Sequence, residues 1–181
     1  MIALGADHGG FELKEAIKKH LDEQGVEYID CGTYSAESID YAPIAKATCE
    51  KVTSGECEKA ILCCGTGIGI SMAANKVKGI RAACCSDYFS AKLTRMHNDA
   101  NALCMGGRVV GVGLALELVD IFVTTEAEGD RHARRREKLT EIDIQYIITP
   151  VGDANIFKAM SNGYILGAEP SGHIINQLVL P

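Results

Sequence analysis

The run Ala60-Ile61-Leu62-Cys63-Cys64 carries no polar side chain and leads straight into Gly65-Thr66-Gly67-Ile68-Gly69. It is too short for a buried helix. Its continuity, in place of alternation, means a strand covered on both faces, as in a parallel sheet. The pattern recurs. Met1 to Leu4 ends in Gly5-Ala6-Asp7-His8-Gly9-Gly10, Val26 to Asp30 reads as a second strand, and Ile80 to Cys85 and Ala102 to Met105 are two more. Helical signals separate them. Leu13, Ile17 and Leu21 recur at every fourth position and stop near Gly25, and Asp40 with Pro43 opens a helix to about Ser54-Gly55. Further helices are expected over about Ile70 to Lys76, Tyr88 to Met96, Leu114 to Val123 and Arg131 to Lys138. The fold class is α/β: a Rossmann-like three-layer α/β/α sandwich on a parallel sheet of about five strands.

A length of 181 residues predicts one domain with a remainder. A change of character near Glu141-Ile142 sets a domain over 1–143 apart from an extension over 144–181. A segment below about 40 residues rarely builds its own core, so the extension is expected to be non-catalytic. Hydrophobic residues at 47% and charged residues at 23% exclude a disordered or fibrous chain. Asp and Glu number 24 against 18 Lys and Arg, which argues against nucleic-acid or membrane partners and leaves room for a local anion site. No cationic leader and no long apolar run are present, so a cytoplasmic protein with eight reduced thiols is expected.

Chemistry in an open parallel sheet gathers beyond the carboxyl ends of the strands. The loop Gly65 to Gly69 follows a strand and opens a helix, so its backbone N–H groups can converge on an anion or a developing oxyanion; a plain tight turn is the other reading. It is not G-x-G-x-x-G, so no dinucleotide is expected. Cys64 stands at the mouth of that loop, where a helix N-terminus favours a thiolate that can act as a base. Period-2 alternation sends Cys63 to the other face, and Cys84, Cys85 and Cys104 read as small buried apolar residues. Asp7-His8 and His97-Asn98-Asp99-Ala100-Asn101 are read as polar loops on the same sheet edge as Cys64, with the sulfur open to the cleft and near an imidazole. Arg131, Arg134 and Arg135 share a helical face suited to a phosphate clamp. No H-E-x-x-H, carboxylate cluster or Cys/His cage suggests a metal, and no cofactor is implied. Such a set suits proton abstraction beside a carbonyl on a phosphorylated substrate.

Three motifs carry a resemblance: Gly5-Ala6-Asp7-His8-Gly9-Gly10; Cys64-Gly65-Thr66-Gly67-Ile68-Gly69-Ile70-Ser71 with Ala73-Ala74-Asn75-Lys76; and His97-Asn98-Asp99-Ala100-Asn101. With Gly106-Gly107-Arg108-Val109-Val110-Gly111 and Arg131-His132, they make residues 1 to about 143 resemble ribose-5-phosphate isomerase, type B. The resemblance implies a cofactor-free aldose–ketose isomerase of the pentose phosphate pathway, working through a cis-enediolate. It also implies a homodimer, or a tetramer, with active sites at the subunit interface. By the same resemblance Cys64 is the proton-transferring base, Gly65, Thr66, Gly67, Ile68 and Gly69 form the enediolate loop, with Thr66 among the catalytic residues, and His97 opens the sugar ring with Asp7 assisting. His8, Arg131 and Arg135 match phosphate contacts, and Asn98 and Arg108 match further substrate contacts. Ile70 stands where some relatives carry a Glu base, which leaves the role to Cys64. Asp130 stands where a Gly often precedes the arginine. Related galactose-6-phosphate isomerase subunits keep a hexose phosphate open as substrate, allose 6-phosphate is another hexose candidate, and a non-catalytic sugar-phosphate binding module is the reading of a different class. In the extension, Thr149 to Asp153 and Gly167 to His173 resemble a fragment of phosphoglucosamine mutase without its catalytic loops.

Overall fold

The computed structural model describes residues 1–142 and two short strands, 166–168 and 174–176. In chain order the elements are β1 (Ile2–Ala6), α1 (Phe11–Gln24), β2 (Tyr28–Asp30), α2 (Tyr41–Thr53), β3 (Lys59–Cys64), α3 (Ile68–Ala74), β4 (Ala82–Cys84), α4 (Tyr88–Asn98), β5 (Ala102–Gly106), α5 (Val112–Thr124) and α6 (Asp130–Ile142). All five strands are parallel and lie in the order β2-β1-β3-β5-β4. The expected sandwich is what forms.

Alternation along each strand divides the core in two. Leu4, Ile61, Cys63, Leu103 and Met105 pack with Ile17 of α1 and Leu118 and Phe122 of α5 on one face. Ala3, Leu62, Cys64 and Cys104 pack with Cys49 of α2 and Ile70 of α3 on the other. The adjacent cysteines thus face opposite ways, as the two-residue period requires.

Several boundaries shift for local reasons. Gly25 closes α1 in a left-handed conformation and the Val26 N–H donates to Leu21 O, so Val26 belongs to the helix end and β2 starts later. The Ile80 N–H is likewise used in a turn to Val77 O, and β4 contains three residues. Asp40 occupies the N-cap of α2 but makes no side-chain cap bond there. Helix α4 continues through His97 and Asn98, which are its last two residues and not part of a loop. Cys84, expected inside, is exposed because β4 is an edge strand, whereas Cys85 and Cys104 are buried.

The chain divides into two compact units, Met1–Leu139 and Thr140–Pro181. In the second, β6 (Leu166–Ala168) and β7 (Ile174–Asn176) pair antiparallel. Apart from Gly167 and Ala168, the mutase-like stretches lie outside the described residues.

Candidate active site

Strand order reverses direction at β1 and β3: the chain moves from β1 outward to β2, then back across to β3. Such a switch point opens a crevice between the loops leaving the two strands. Those loops hold Asp7-His8 and Cys64 to Gly69, and glycine lets them meet backbone to backbone. A Cβ on Gly9 would lie 2.9 Å from Gly65 N, and one on Gly107 would lie 2.7 Å from Gly9 O. Gly67, the N-cap of α3, has φ 80°, a conformation that side chains resist.

The backbone turn brings the Gly67 N–H to Cys64 Sγ at 3.1 Å. Cys64 is buried, 4% exposed and packed in its core cluster, so the expectation of a sulfur open to the cleft is not met within one chain. On the opposite face, burial first, then Cys64 and Asp7, pushes the Cys63 thiol up to about 12. Of the two sulfurs, Cys64 is the one bonded by the loop that opens α3.

Asp7 is buried and its Oδ1 accepts the Gly9 and Gly10 N–H groups at 2.8 and 3.1 Å. The Ile39 N–H reaches His8 Nδ1 at 3.2 Å. Arg108 joins this edge because its N–H donates to Gly65 O, while its guanidinium lies 3.7 Å from where a Gly65 side chain would start. Thr66 and Ile68 are exposed and Gly65 and Gly69 half-buried on the same loop.

His97 and Asn98 lie elsewhere. Helix α4 runs back across the sheet, so its C-terminus delivers them to the amino end of β5, whose first residue Ala102 pairs with Ala60. From Ala60 to Cys64 is four strand steps, about 13 Å. The expectation that His97 shares a sheet edge with Cys64 is therefore wrong for a single chain. An αβ connection returns to the amino edge, and only βα loops leave the carboxyl edge.

At the amino edge a second cluster forms. His97, Asn98, His132, Arg135, Arg136 and Leu139 line a cleft of about 200 Å³. The rings of His97 and His132 stack at 4.1 Å, 6° from parallel. Arg131 Nε donates to His132 Nε2 at 3.0 Å, and Glu128 Oε2 lies 3.4 Å from the same nitrogen. Burial first, then His97 and Arg131, lowers the His132 pKa. Arg136 Nη1 donates to Glu128 O and His97 O, which fastens the start of α6 onto the end of α4. The end of α4 is itself braced: Asp99, in a left-handed C-cap at φ 47°, takes Arg95 and Arg81, each at 2.8 Å. Of the arginine triplet, Arg135 faces the cleft and Arg131 its rear wall, whereas Arg134 is not among the lining residues. Glu128, His132 and Arg136 were not anticipated as site residues. Their sequence signal is the i, i+4 spacing 128, 132, 136, to which His132 adds its place in the Arg131-His132 motif.

The geometry thus yields a thiol that takes a backbone N–H from a glycine-rich loop at one edge, and stacked imidazoles among arginines at the other. A family model described as Ribose/Galactose Isomerase matches residues 2–139. The chain belongs to that family. Ribose-5-phosphate isomerase B of Escherichia coli is 51% identical over 142 residues, covering 78% of this chain and 95% of that protein. Galactose-6-phosphate isomerase subunit LacB of Clostridium acetobutylicum is 42% identical over 123 residues, covering 68% and 71%. Among solved structures, ribose-5-phosphate isomerase B of Clostridium thermocellum superimposes with a TM-score of 0.77 at 51% identity, covering 78% of this chain and 96% of that one. A second model, for domain III of phosphoglucomutase/phosphomannomutase, matches residues 135–178. Family membership makes this an isomerase-type chain with a mutase-like segment behind it. No helix among the described residues is long and apolar enough to cross a membrane.

Proposed function

We propose that this protein interconverts D-ribose 5-phosphate and D-ribulose 5-phosphate, with Cys64 as the base. The Cys64 thiolate takes the proton from C2 of the open-chain aldose, the electron pair forms the C1–C2 double bond, and negative charge moves to O1. Backbone N–H groups of the Gly65–Gly69 loop are assigned to that oxygen. The thiol then returns its proton to C1 as the O2 hydroxyl proton passes to O1, leaving the ketose with a C2 carbonyl and a C1 hydroxyl. The observation that carries this reading is the 3.1 Å bond from the Gly67 N–H to Cys64 Sγ at the switch point of the sheet.

The site is shared between two copies of the chain. His97 opens the furanose ring with Asp7 assisting, yet within one chain His97 and Asn98 sit at the far edge from Cys64. A second subunit, turned so that its amino edge faces this carboxyl edge, brings His97, Asn98, Arg131 and Arg135 to Cys64, His8 and Arg108. The carboxyl edge is apolar enough to be covered: Ile68, Met72, Phe89 and Val109 are each more than half exposed there. His8 from one side and Arg131 and Arg135 from the other then hold the phosphate. The eight cysteines are all unbonded thiols, which supports a reducing, cytoplasmic location. The extension over 144–181 takes no part in the chemistry.

Parallel rate measurements on ribose 5-phosphate and galactose 6-phosphate test the substrate. A higher kcat/KM on the hexose phosphate would replace the pentose, in line with the galactose-6-phosphate isomerase relative. Failure to exchange solvent deuterium into either sugar would leave only a binding module.

A further inference from the structure

Three acceptor atoms face one point at the amino edge. Glu128 Oε2 lies 3.4 Å from His132 Nε2 and 3.9 Å from His97 Nε2, and all three ligand atoms fall within 4.8 Å of one another. His132 Nε2 receives the Arg131 Nε hydrogen, so it carries no proton there and confronts the carboxylate oxygen as a second acceptor. Arg131 alone among the bonds to His132 supplies positive charge between them. When that guanidinium turns to a phosphate, the three acceptors are left facing each other.

Two imidazoles and one carboxylate with an open fourth position make up a common donor set for zinc. Ligand bonds of about 2.0–2.2 Å in a tetrahedron place ligand atoms about 3.3 Å apart. The Glu128–His132 edge already has that length, and the Glu128–His97 edge exceeds it by about 0.6 Å. We propose that His97, Glu128 and His132 form a site for a divalent transition cation of the zinc class, and that its occupancy inhibits the enzyme. The two rings stack 6° from parallel, so their lone pairs run side by side; a tilt of the half-buried His97 ring makes them converge.

The surrounding charge limits affinity. A cation must displace Arg131 and enter a cleft lined by Arg135 and Arg136, so binding is weak and reversible compared with a structural zinc site. The open position faces the cleft, and a metal there takes the lone pair of His97. The inhibitory half of the proposal rests on the isomerase reading, because it needs His97 to act in turnover. The binding half does not.

Cobalt(II) titration of the full chain, with its thiols reduced, reads the site directly. One cobalt per chain with visible d–d bands and no near-ultraviolet thiolate-to-cobalt band is the expected spectrum. Glu128→Gln and His132→Asn each weaken it by at least about tenfold, since even partners outside the ligand shell are worth that much. A thiolate band, no binding, or unchanged affinity in both variants overturns the site. Turnover of ribose 5-phosphate should fall with added zinc and recover with chelator, and the same zinc should lower the turnover of Glu128→Gln, relative to that variant without zinc, by a smaller factor than in the wild type. Zinc inhibition by an undiminished factor in Glu128→Gln assigns the effect to Cys64 and removes the inhibitory half. If the wild-type chain turns over no ribose 5-phosphate, the isomerase reading fails and the cobalt spectra still decide the site.

Discussion

The two ends of the sheet are built by different means. At the carboxyl edge the working parts are mostly backbone: three glycine-rich loops interlock, and one sulfur takes a hydrogen bond from the turn it precedes. At the amino edge they are all side chains: stacked imidazoles, a carboxylate and arginines, held by the docking of α6 on α4. In the proposed mechanism the first arrangement stabilises charge on a carbon skeleton and the second grips and protonates. Neither edge is a complete isomerase site. On the proposed reading, a second copy joins the two edges into one site.

The largest effect expected is at Cys64. Cys64→Ala should lower kcat about 10³-fold, the usual worth of a positioned base, with an unchanged circular dichroism spectrum. Retained turnover would strip the carboxyl edge of its role. His97→Asn breaks the other half. Mixing the two inactive variants under conditions that exchange subunits then sharpens the contrast. Random pairing makes half the dimers mixed, and each mixed dimer holds one intact Cys64 facing one intact His97, so roughly a quarter of wild-type activity returns. No recovery from exchanged subunits would put both residues in a single-chain site and contradict the sheet geometry.

The carboxyl edge was more legible in the sequence than the amino edge. Continuous apolar strands ending in Gly5 to Gly10 and Gly65 to Gly69 announce both the sheet and its crevice, and strand alternation alone separates Cys63 from Cys64. The amino edge depends on tertiary docking. Glu128 and His132 lie more than thirty residues from His97 and meet it through tertiary bonds, from the Glu128 N–H to Met96 O and from Arg136 to His97 O. Grouping His97 with Cys64 by residue type ignored the direction in which α4 travels. The exposure of Cys84 follows from β4 being last in the sheet, and strand order is invisible to local periodicity.

Two changes test how the carboxyl edge keeps its shape. A Cβ at Gly67 would meet Met105 C at 2.8 Å and Cys84 Sγ at 2.9 Å in a left-handed backbone. Gly67→Ala should therefore cost about 2–4 kcal/mol in denaturant unfolding, from backbone strain plus overpacking, and displace the N–H from Cys64. Below this edge Lys14, 1% exposed, binds Asp30 at 2.6 Å, with Lys18 at 2.9 Å on the same carboxylate. Burial raises the Asp30 pKa, but the bonds from Lys14, Lys18 and the Gly32 N–H outweigh it and the net shift is downward. A carboxylate held below its ordinary value of about 3.9 stabilises the fold above that pH and loses the contribution as pH falls through its folded pKa. Lys14→Met should cost about 1–3 kcal/mol at neutral pH, less than a fully broken pair because Lys18 remains. The gap to wild type should close on acidification below about pH 4. A gap independent of pH would mean that Lys14 acts by packing alone.

The smallest effect belongs to the amino edge. Asp130 begins α6 with φ 49°, the left-handed region, where the resemblance pointed to a glycine. Asp tolerates that backbone better than most residues but still carries a cost of up to about 1 kcal/mol. Among the described residues it makes no ion pair to offset this, and it stands beside Arg131, a phosphate contact in the proposed site. Asp130→Gly removes both the strain and the nearby negative charge, while the added freedom of glycine in the unfolded chain returns part of the gain. Thermal unfolding should therefore rise by the equivalent of about 0.5 kcal/mol or less, and KM should fall slightly with kcat unchanged. A lower kcat in this variant would show that the start of α6 does more than hold the arginines, and that the amino edge has a part in the chemical step.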